Sequence, residues 1–357
     1  MGKCGNPVET AYFCGMTESA PLVAVVLLNW NGQHWLERFL EGVLKTEYPN
    51  LKVVLGDNAS SDQSVDWTRT HFPQVEVIQN DKNYGFAGGY NRILEHVKAD
   101  YYVLLNTDVE LPQNWLMPMV ELAENNPRIA AVQPRFVLQT DRQYLEYSGA
   151  AGGFMDSMGY MFCQGRVFDS IEKNEGQYNT SKPIFWACGA CLLVRTNAFW
   201  QVHGFDDDFF AHQEEIDLCW RLQNSGYEIY YCAEAEVFHV GGGMLPPSSP
   251  FKTYLNFRNS LYLLFKNWPL KTLLSRLLPR LLLDGVAGLK FLKDGKYKEI
   301  WAIVKAHWHF FAKIPQLLRK RRYIHHVEDM QKLQGYYPKS ILWQYFVRGK
   351  KRFTDLN

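Results

Sequence analysis

The stretch Tyr101-Tyr102-Val103-Leu104-Leu105-Asn106-Thr107-Asp108 decides the fold. An apolar run of strand length ends in a short polar step and an acid. Such a run, without alternation, reads as a strand buried on both faces, the habit of parallel sheets covered by helices. Working outward, short β-rich runs alternate with helical patterns from Leu22 to about Val137, which is the pattern of βαβ units. The spacing predicts strands over Leu22–Leu28, Leu51–Gly56, Val75–Gln79, Tyr101–Leu105 and Ala130–Val137. It predicts helices around Trp35–Lys45, Ser64–His71, Gly89–Lys98 and Trp115–Asn125. The expected class is α/β: an open, mostly parallel, Rossmann-like sheet with a C-terminal helical extension.

In open sheets of this kind ligands bind beyond the carboxyl ends of the strands. The four strand-end loops are Asn29-Trp30-Asn31-Gly32, Asp57-Asn58-Ala59-Ser60-Ser61-Asp62, Asn80 to Gly89, and Asn106-Thr107-Asp108. Asn, Asp, Ser and Gly also serve as turn and capping residues. Four such loops on one edge nevertheless favour a binding site. A carboxylate at a strand end suits a hard divalent cation, which shares its oxygen ligands with substrate phosphates, so Asp108 is a candidate metal ligand. Pro112 weakens the competing reading of Asp108 as a helix cap.

Farther on, residues 138–183 read as an irregular, Gly-rich flap, and Phe185–Val194 as a buried strand. Helices are expected at Thr196–Val202 and Glu214–Ser225. Short strands at Tyr227–Cys232 and Ala235–His239 lead to Gly241-Gly242-Gly243, and from Phe251 onward the pattern is helical. In Glu214-Glu215-Ile216-Asp217 the acids favour a helix start through the helix dipole. Asp217 and Arg221 are spaced for an ion pair on the face shared by Glu214. Glu215 points elsewhere, above Cys219 and Leu222, where a tuned carboxylate can act as general base. His239 ends a strand just before the glycines; imidazole is a common metal ligand, although a lone His is more often a core or surface residue.

A chain of 357 residues that is 47% hydrophobic and 15% aromatic can bury one large core plus an appendage, or two modest domains. A disordered or fibrous protein is excluded. Net charge is +1, yet thirteen Lys/Arg lie between Lys271 and Arg322 against Asp284, Asp294 and Glu299. Leu273–Leu283, Ile300–Phe311 and Ile314–Tyr323 interleave Leu, Trp and Phe with Lys and Arg. They suit an anionic membrane surface or an ordinary packed helical subdomain. Nothing points to a nucleic-acid partner. The seven cysteines have no framework spacing and read as reduced thiols; Cys188 and Cys191 lack a second zinc pair and read as core. Residues 1–20 carry no signal-peptide pattern. Arg276, Arg280, Asp284 and Lys290 keep the most apolar segment below the ~18 residues of a spanning helix. The expectation is a cytoplasmic protein, peripheral on the inner face of the membrane. The expected organisation is an N-terminal extension (1–20), a catalytic domain (21–267, with a nucleotide-binding half 21–137 and an acceptor/catalytic half 138–267) and a basic amphipathic region (268–357).

Six stretches together resemble a family 2 glycosyltransferase with the glycosyltransferase-A fold, close to its rhamnosyltransferase-like branch. They are Val25 to Gly32, Gly56 to Asp62, Asn83-Tyr84-Gly85-Phe86-Ala87-Gly88-Gly89-Tyr90-Asn91, Leu104 to Asp108, Gly189 to Arg195 and Phe209 to Leu218. Their succession spans about Pro21 to Phe265 in the family's order. The resemblance implies a nucleotide-diphosphate sugar donor, dTDP- or UDP-linked, with Asp57 reading the base. Asn29, Asn31, Asn83, Gly85, Gly88, Asn91, Asn106 and Thr107 would line the donor site. Asp108 matches the last acid of the family's Asp-x-Asp motif, which holds Mg2+ or Mn2+, and His239 matches a histidine that completes the metal site in some members. Glu215 matches the general base, with Glu214 and Trp186 on the acceptor side.

The implied reaction inverts the sugar (rhamnose, galactose or similar) in one displacement, onto a hydroxyl of a glycan or polyprenyl-linked acceptor in cell-surface polysaccharide synthesis. Two positions depart from the pattern: Asn106 replaces the first acid of Asp-x-Asp, and Glu215 stands where Asp is usual. The competing readings are a catalytically weakened nucleotide-sugar binding or regulatory protein, favoured by Asn106, and a nucleotidyltransferase. The latter normally needs a lysine in the first loop, and Asn29–Gly32 has none.

Overall fold

The computed structural model describes residues 20–146, 149–241 and 249–356. Residues 1–19 of the expected N-terminal extension, and Gly242 and Gly243, lie outside the described residues.

Strands β1 (Val23–Asn29), β2 (Leu51–Asp57), β3 (Glu76–Gln79) and β4 (Tyr101–Leu105) lie parallel in the order β3-β2-β1-β4. The connecting helices are α1 (Gln33–Leu44), α2 (Ser64–His71) and α3 (Gly85–Leu94). Every residue of β4 is buried, as its unbroken apolar run requires. In α1 the buried Leu36, Phe39, Leu40 and Val43 fall at helical spacing and form one stripe against the sheet. A two-residue β5 (Val109–Glu110) follows Asp108 directly, then α4 (Leu116–Glu124) and β6 (Ile129–Leu138).

The expected flap is more ordered than its glycines indicate. β7 (Gly153–Asp156), β8 (Met161–Cys163), β9 (Arg166–Val167) and β10 (Ser170–Ile171) form a small antiparallel sheet. The chain then returns to the main sheet through β11 (Lys182–Pro183) and β12 (Cys191–Arg195), followed by α5 (Thr196–Gln201), α6 (Glu214–Asn224) and β13 (Glu228–His239). The full order is β11-β13-β6-β12-β4-β1-β2-β3, with β5 on β13. Only β5, β11 and β12 run against the common direction.

Three boundaries differ from the sequence expectation for physical reasons. The buried segment from Phe185 is a strand only from Cys191, because side chains take its earlier N–H groups: Cys188 donates to Gln133 Oε1 at 3.0 Å and Ala187 to Cys219 Sγ at 3.4 Å. The two strands before His239 are one, with a register irregularity between Tyr231 and Glu236. Helix α3 starts at Gly85, four residues earlier than expected, because its free N–H groups find tertiary partners. Asn83 Oδ1 accepts from Gly85 N at 2.8 Å, and Phe210's carbonyl accepts from Phe86 N at 2.6 Å and Ala87 N at 3.2 Å.

Gly85 has φ +74°, and a Cβ there would lie 2.4 Å from the Phe210 carbonyl oxygen. Gly85→Ala is expected to cost about 1–3 kcal/mol, read as a lowered urea midpoint.

Helices α7 (Pro250–Asn267), α8 (Leu270–Lys293) and α9 (Tyr297–Arg321) follow, with α9 packed along α7. The helical pattern expected from Phe251 ends at Arg321. The chain then returns to the small sheet, where β14 (Tyr336–Tyr337) lies parallel to β7 and Ile341 N donates to the buried Asp156 at 2.8 Å. Among the described residues, no helix is long and apolar enough to cross a membrane. Cys163, Cys188, Cys191, Cys219 and Cys232 are free and buried. Burial pushes the thiols of Cys163 and Cys219 up to about 12, which marks them as inert core.

Candidate active site

The strand-end loops meet at one edge, bound mostly to one another. Asn29 is buried and its Nδ2 faces Asp57 Oδ1 at 3.1 Å, Ser60 Oγ at 3.0 Å and Ser64 Oγ at 2.8 Å. Asp57 is buried as well; its second oxygen accepts from Ser60 N at 3.0 Å. Asn31, in the left-handed region at φ 52°, accepts at Oδ1 from Ser61 N at 2.7 Å. The carboxylate of Asp57 therefore fixes the 58–61 loop from beneath, while Asn31 and Ser61 form its rim. Asn83 accepts from Asn58 Nδ2 at 2.9 Å and caps α3. Gly88 lies under Tyr84 and Arg92, so a Cβ there would be crowded at 3.2 Å from both. Asn91 acts as a clasp: its amide donates to Phe205 O at 2.9 Å and Asp207 Oδ1 at 2.7 Å and accepts from Phe205 N at 2.9 Å.

The second cluster is centred on His239. Pairing of β5 with β13 sets His239 opposite Val109, which brings the preceding Asp108 to it. His239 Nε2 lies 3.2 Å from Asp108 Oδ1. Its Nδ1 faces Glu146 Oε2 at 3.4 Å, an ion-pair distance. Glu146 is placed by its own backbone, whose N–H donates to Phe136 O at 2.9 Å on the neighbouring β6. All three side chains are buried. Burial opposes charge on the ring, but its hydrogen bond to Asp108 and the nearby Glu146 carboxylate outweigh this and raise the imidazole pKa to about 10. Gly241, at φ +73°, passes close enough that a Cβ would be 2.9 Å from Glu146 Oε1. Thr107 is buried beside Gly32, and Asn106 is anchored by its N–H to Ala190 O at 2.9 Å.

Ala190 connects this cluster to the acids of α6. The turn at Gly189 packs on Glu215, whose Cβ would be 3.6 Å from a Cβ at that glycine. The approach to α6 is strained: Phe210, His212 and Gln213 all have φ between 64° and 71°. Residues of α7 hold it. Asn259 Nδ2 faces the carbonyls of Phe209, Ala211 and His212 at 2.7–3.0 Å, and Arg258 donates to Asp208 O and Phe209 O.

Asp217 pairs with Arg221 at 2.8 Å, as the spacing predicts. That leaves two neighbouring carboxyls. Among the described residues, neither Glu214 Oε2 nor Glu215 Oε2 has a hydrogen-bond partner. Burial, then repulsion from Glu215, pushes Glu214 well above the usual carboxylate range. Burial also raises Glu215, but backbone N–H groups at the helix start oppose it, and it reaches only about 7. Burial thus favours the protonated form of both carboxyls, and the N–H groups of the helix start oppose it at Glu215.

Trp186 is buried against Gly153 and donates from Nε1 to Phe154 O at 3.2 Å. Sequence reasoning missed Glu146, Asn259, Arg258 and His212. His212 has an Nε2 without a partner among the described residues, and burial with Lys252 nearby lowers its pKa to about 4. Their positions depend on tertiary pairing, and only the Phe209–Asp217 run itself carried a local signal. Among the described residues, no three His, Cys, Asp or Glu side chains converge on one point as a metal cage.

A mostly parallel sheet whose loop edge brings Asp108 to His239 is the architecture of the glycosyltransferase-A fold. The Glycosyl transferase family 2 model matches residues 24–202, and the chain belongs to that family. It is 30% identical over 243 residues to the N-acetylglucosaminyl-diphospho-decaprenol L-rhamnosyltransferase of Mycobacterium tuberculosis, covering 63% of this chain and 76% of that protein. It is 24% identical over 225 residues to the rhamnosyltransferase WbbL of Escherichia coli, covering 61% and 83%. The crystal structure of GalNAc-T7 with UDP, GalNAc and Mn2+ superposes with a TM-score of 0.56 at 16% identity. That match covers 71% of this chain and 49% of the other, so the chain spans about half of it and the likeness concerns the fold alone.

Proposed function

We propose that this glycosyltransferase moves a hexose of the rhamnose type from a dTDP- or UDP-linked donor to a hydroxyl of a glycan or polyprenyl-linked acceptor, with inversion. The observation that carries this reading is Glu215: a carboxyl raised to about 7, with one oxygen lacking a partner among the described residues, packed on the Gly189–Ala190 turn that also binds Asn106. The donor's base would rest on the rim formed by Asn31 and Ser61, with Asp57 fixing that rim from below. The rhamnosyl and decaprenol terms in the relatives' names support the sugar and acceptor classes.

The residues present fit a divalent cation. Asp108 Oδ1 and His239 Nε2 are 3.2 Å apart, and a cation that displaces the proton between them would be shared by both. Glu146 stands at the ring's other nitrogen, the usual brace of a metal-bound histidine. Two protein ligands suffice where phosphates and water complete the shell. When bound, Mg2+ or Mn2+ would neutralise charge growing on the departing diphosphate. Glu215 would take the acceptor's proton as the acceptor oxygen attacks the anomeric carbon, and the diphosphate would leave with the bonding electrons of the donor's anomeric C–O bond. Trp186, packed on Gly153 of β7, would shape the acceptor side.

The test is release of nucleoside diphosphate from a panel of nucleotide sugars, with and without Mg2+ or Mn2+ and candidate acceptors. Turnover of a dTDP- or UDP-sugar supports the proposal; tight binding of a donor without turnover on any acceptor favours a binding protein instead. In a linked prediction, Glu146→Gln lowers Mn2+ affinity roughly 10–100-fold, measured in the presence of nucleoside diphosphate, because the brace on His239 loses its charge.

A further inference from the structure

Helix α8 is built inside out. The charged residues in its middle face the protein: Arg280 and Asp284 are 4% and 1% exposed and pair with each other. Asp284 also meets His307 of α9 at 3.0 Å, and Arg280 meets Ser260 of α7 at 3.1 Å. Arg276 donates to Ser157 O and to the Tyr336 hydroxyl. Leu273, Leu277 and Leu281 pack on the core, while a second apolar row faces outward: Leu274, Leu278, Leu282, Val286 and Leu289 recur every three or four residues, and each is 61–75% exposed. A helix against water has the opposite polarity. α9 continues the pattern with Trp301, Trp308 and Phe311, at 68%, 74% and 52%. Surface apolar residues scattered singly need no explanation, but a row of them along one helix, with more on the helix packed beside it, marks an interaction face.

The charge beside this row identifies its partner. Lys290, Lys293, Lys296 and Lys298 are exposed where α8 turns into α9. Exposed lysines beside a Leu and Trp face complement anionic headgroups above an apolar layer. A second copy of the chain would bring like-charged turns to the same interface.

We propose that the outward face of α8 and α9 docks on an anionic lipid bilayer. The leucines and tryptophans enter the boundary between headgroups and acyl chains, and the lysine turn lies on the headgroups. This goes beyond the transfer reaction, and its readout is binding alone.

The test is flotation of the full chain with phosphatidylcholine vesicles, with and without phosphatidylglycerol. The wild type is expected to float with the anionic vesicles, and added salt should weaken this binding without abolishing it. The triple variant Leu274→Gln/Leu278→Gln/Leu282→Gln is expected to lose roughly tenfold or more of the bound fraction. Its melting temperature should hold, since these side chains support no core. Doxyl-labelled lipid should quench the wild type more than Trp308→Phe. The proposal is overturned if the wild type stays unbound, if the triple variant floats equally well, or if the wild type is a dimer that the triple variant renders monomeric.

Discussion

Glu215→Gln is expected to lower kcat by about 10²–10⁴-fold while leaving donor affinity within a few fold, because general base catalysis is worth that much. The amide keeps the shape of the side chain and cannot accept the acceptor's proton. The split between kcat and donor binding separates loss of the base from loss of fold. Wild-type kcat/KM should rise with pH through an inflection near 7, the pKa to which burial brings Glu215, and the rise should be absent from the residual activity of the variant. The stability consequence has the opposite sign. Because the folded pKa lies above the unfolded value, the neutral carboxyl's contribution is complete at low pH and is lost as pH rises to about 7. The site gives up stability at the pH where its base becomes active.

Asp206→Asn is expected to cost about 3 kcal/mol, at the lower end of the penalty for breaking a buried ion pair. Asp206 is buried and meets two ammonium groups, Lys266 of α7 and Lys320 of α9. Burial alone would raise its pKa, but the two lysines outweigh it and hold the carboxyl far below the usual range. Lys266 also pairs with Asp217 at 2.9 Å and Lys320 with Asp208 at 2.6 Å, so each amine keeps one partner in the variant. Urea unfolding reads the loss. Pairing the change with Lys320→Met should cost less than the sum of the two single changes, as expected for groups in one network. The carboxylate's contribution is present above the unfolded pKa of about 3.9 and is lost as pH falls below it.

The parallel half of the sheet was legible because each of its signals is local. The run Tyr101–Leu105 is a buried strand as its composition requires, and the Asp217–Arg221 pair follows from helix spacing. Asp108 and His239 could each be singled out, but their contact could not be predicted. It depends on β5, a strand of two residues that no periodicity reveals, pairing with the end of a strand more than a hundred positions away. Glu146 carried no signal at all, since its place comes from a backbone bond to Phe136. The early start of α3 was hidden for the same reason: Phe210 supplies the cap. In α8 the positions of Arg276, Arg280 and Asp284 were plain, but whether they faced water or the protein was not. Their inward pairing turns an apparent interruption of an apolar helix into its attachment.

The central claim, a single displacement with Glu215 as base, is tested most directly by the anomeric configuration of the product, read by proton NMR before mutarotation or on the isolated glycoside. A single displacement with Glu215 as base predicts inversion relative to the donor. Retention would require a covalent or front-face route that Glu215 alone does not supply, and would contradict the account.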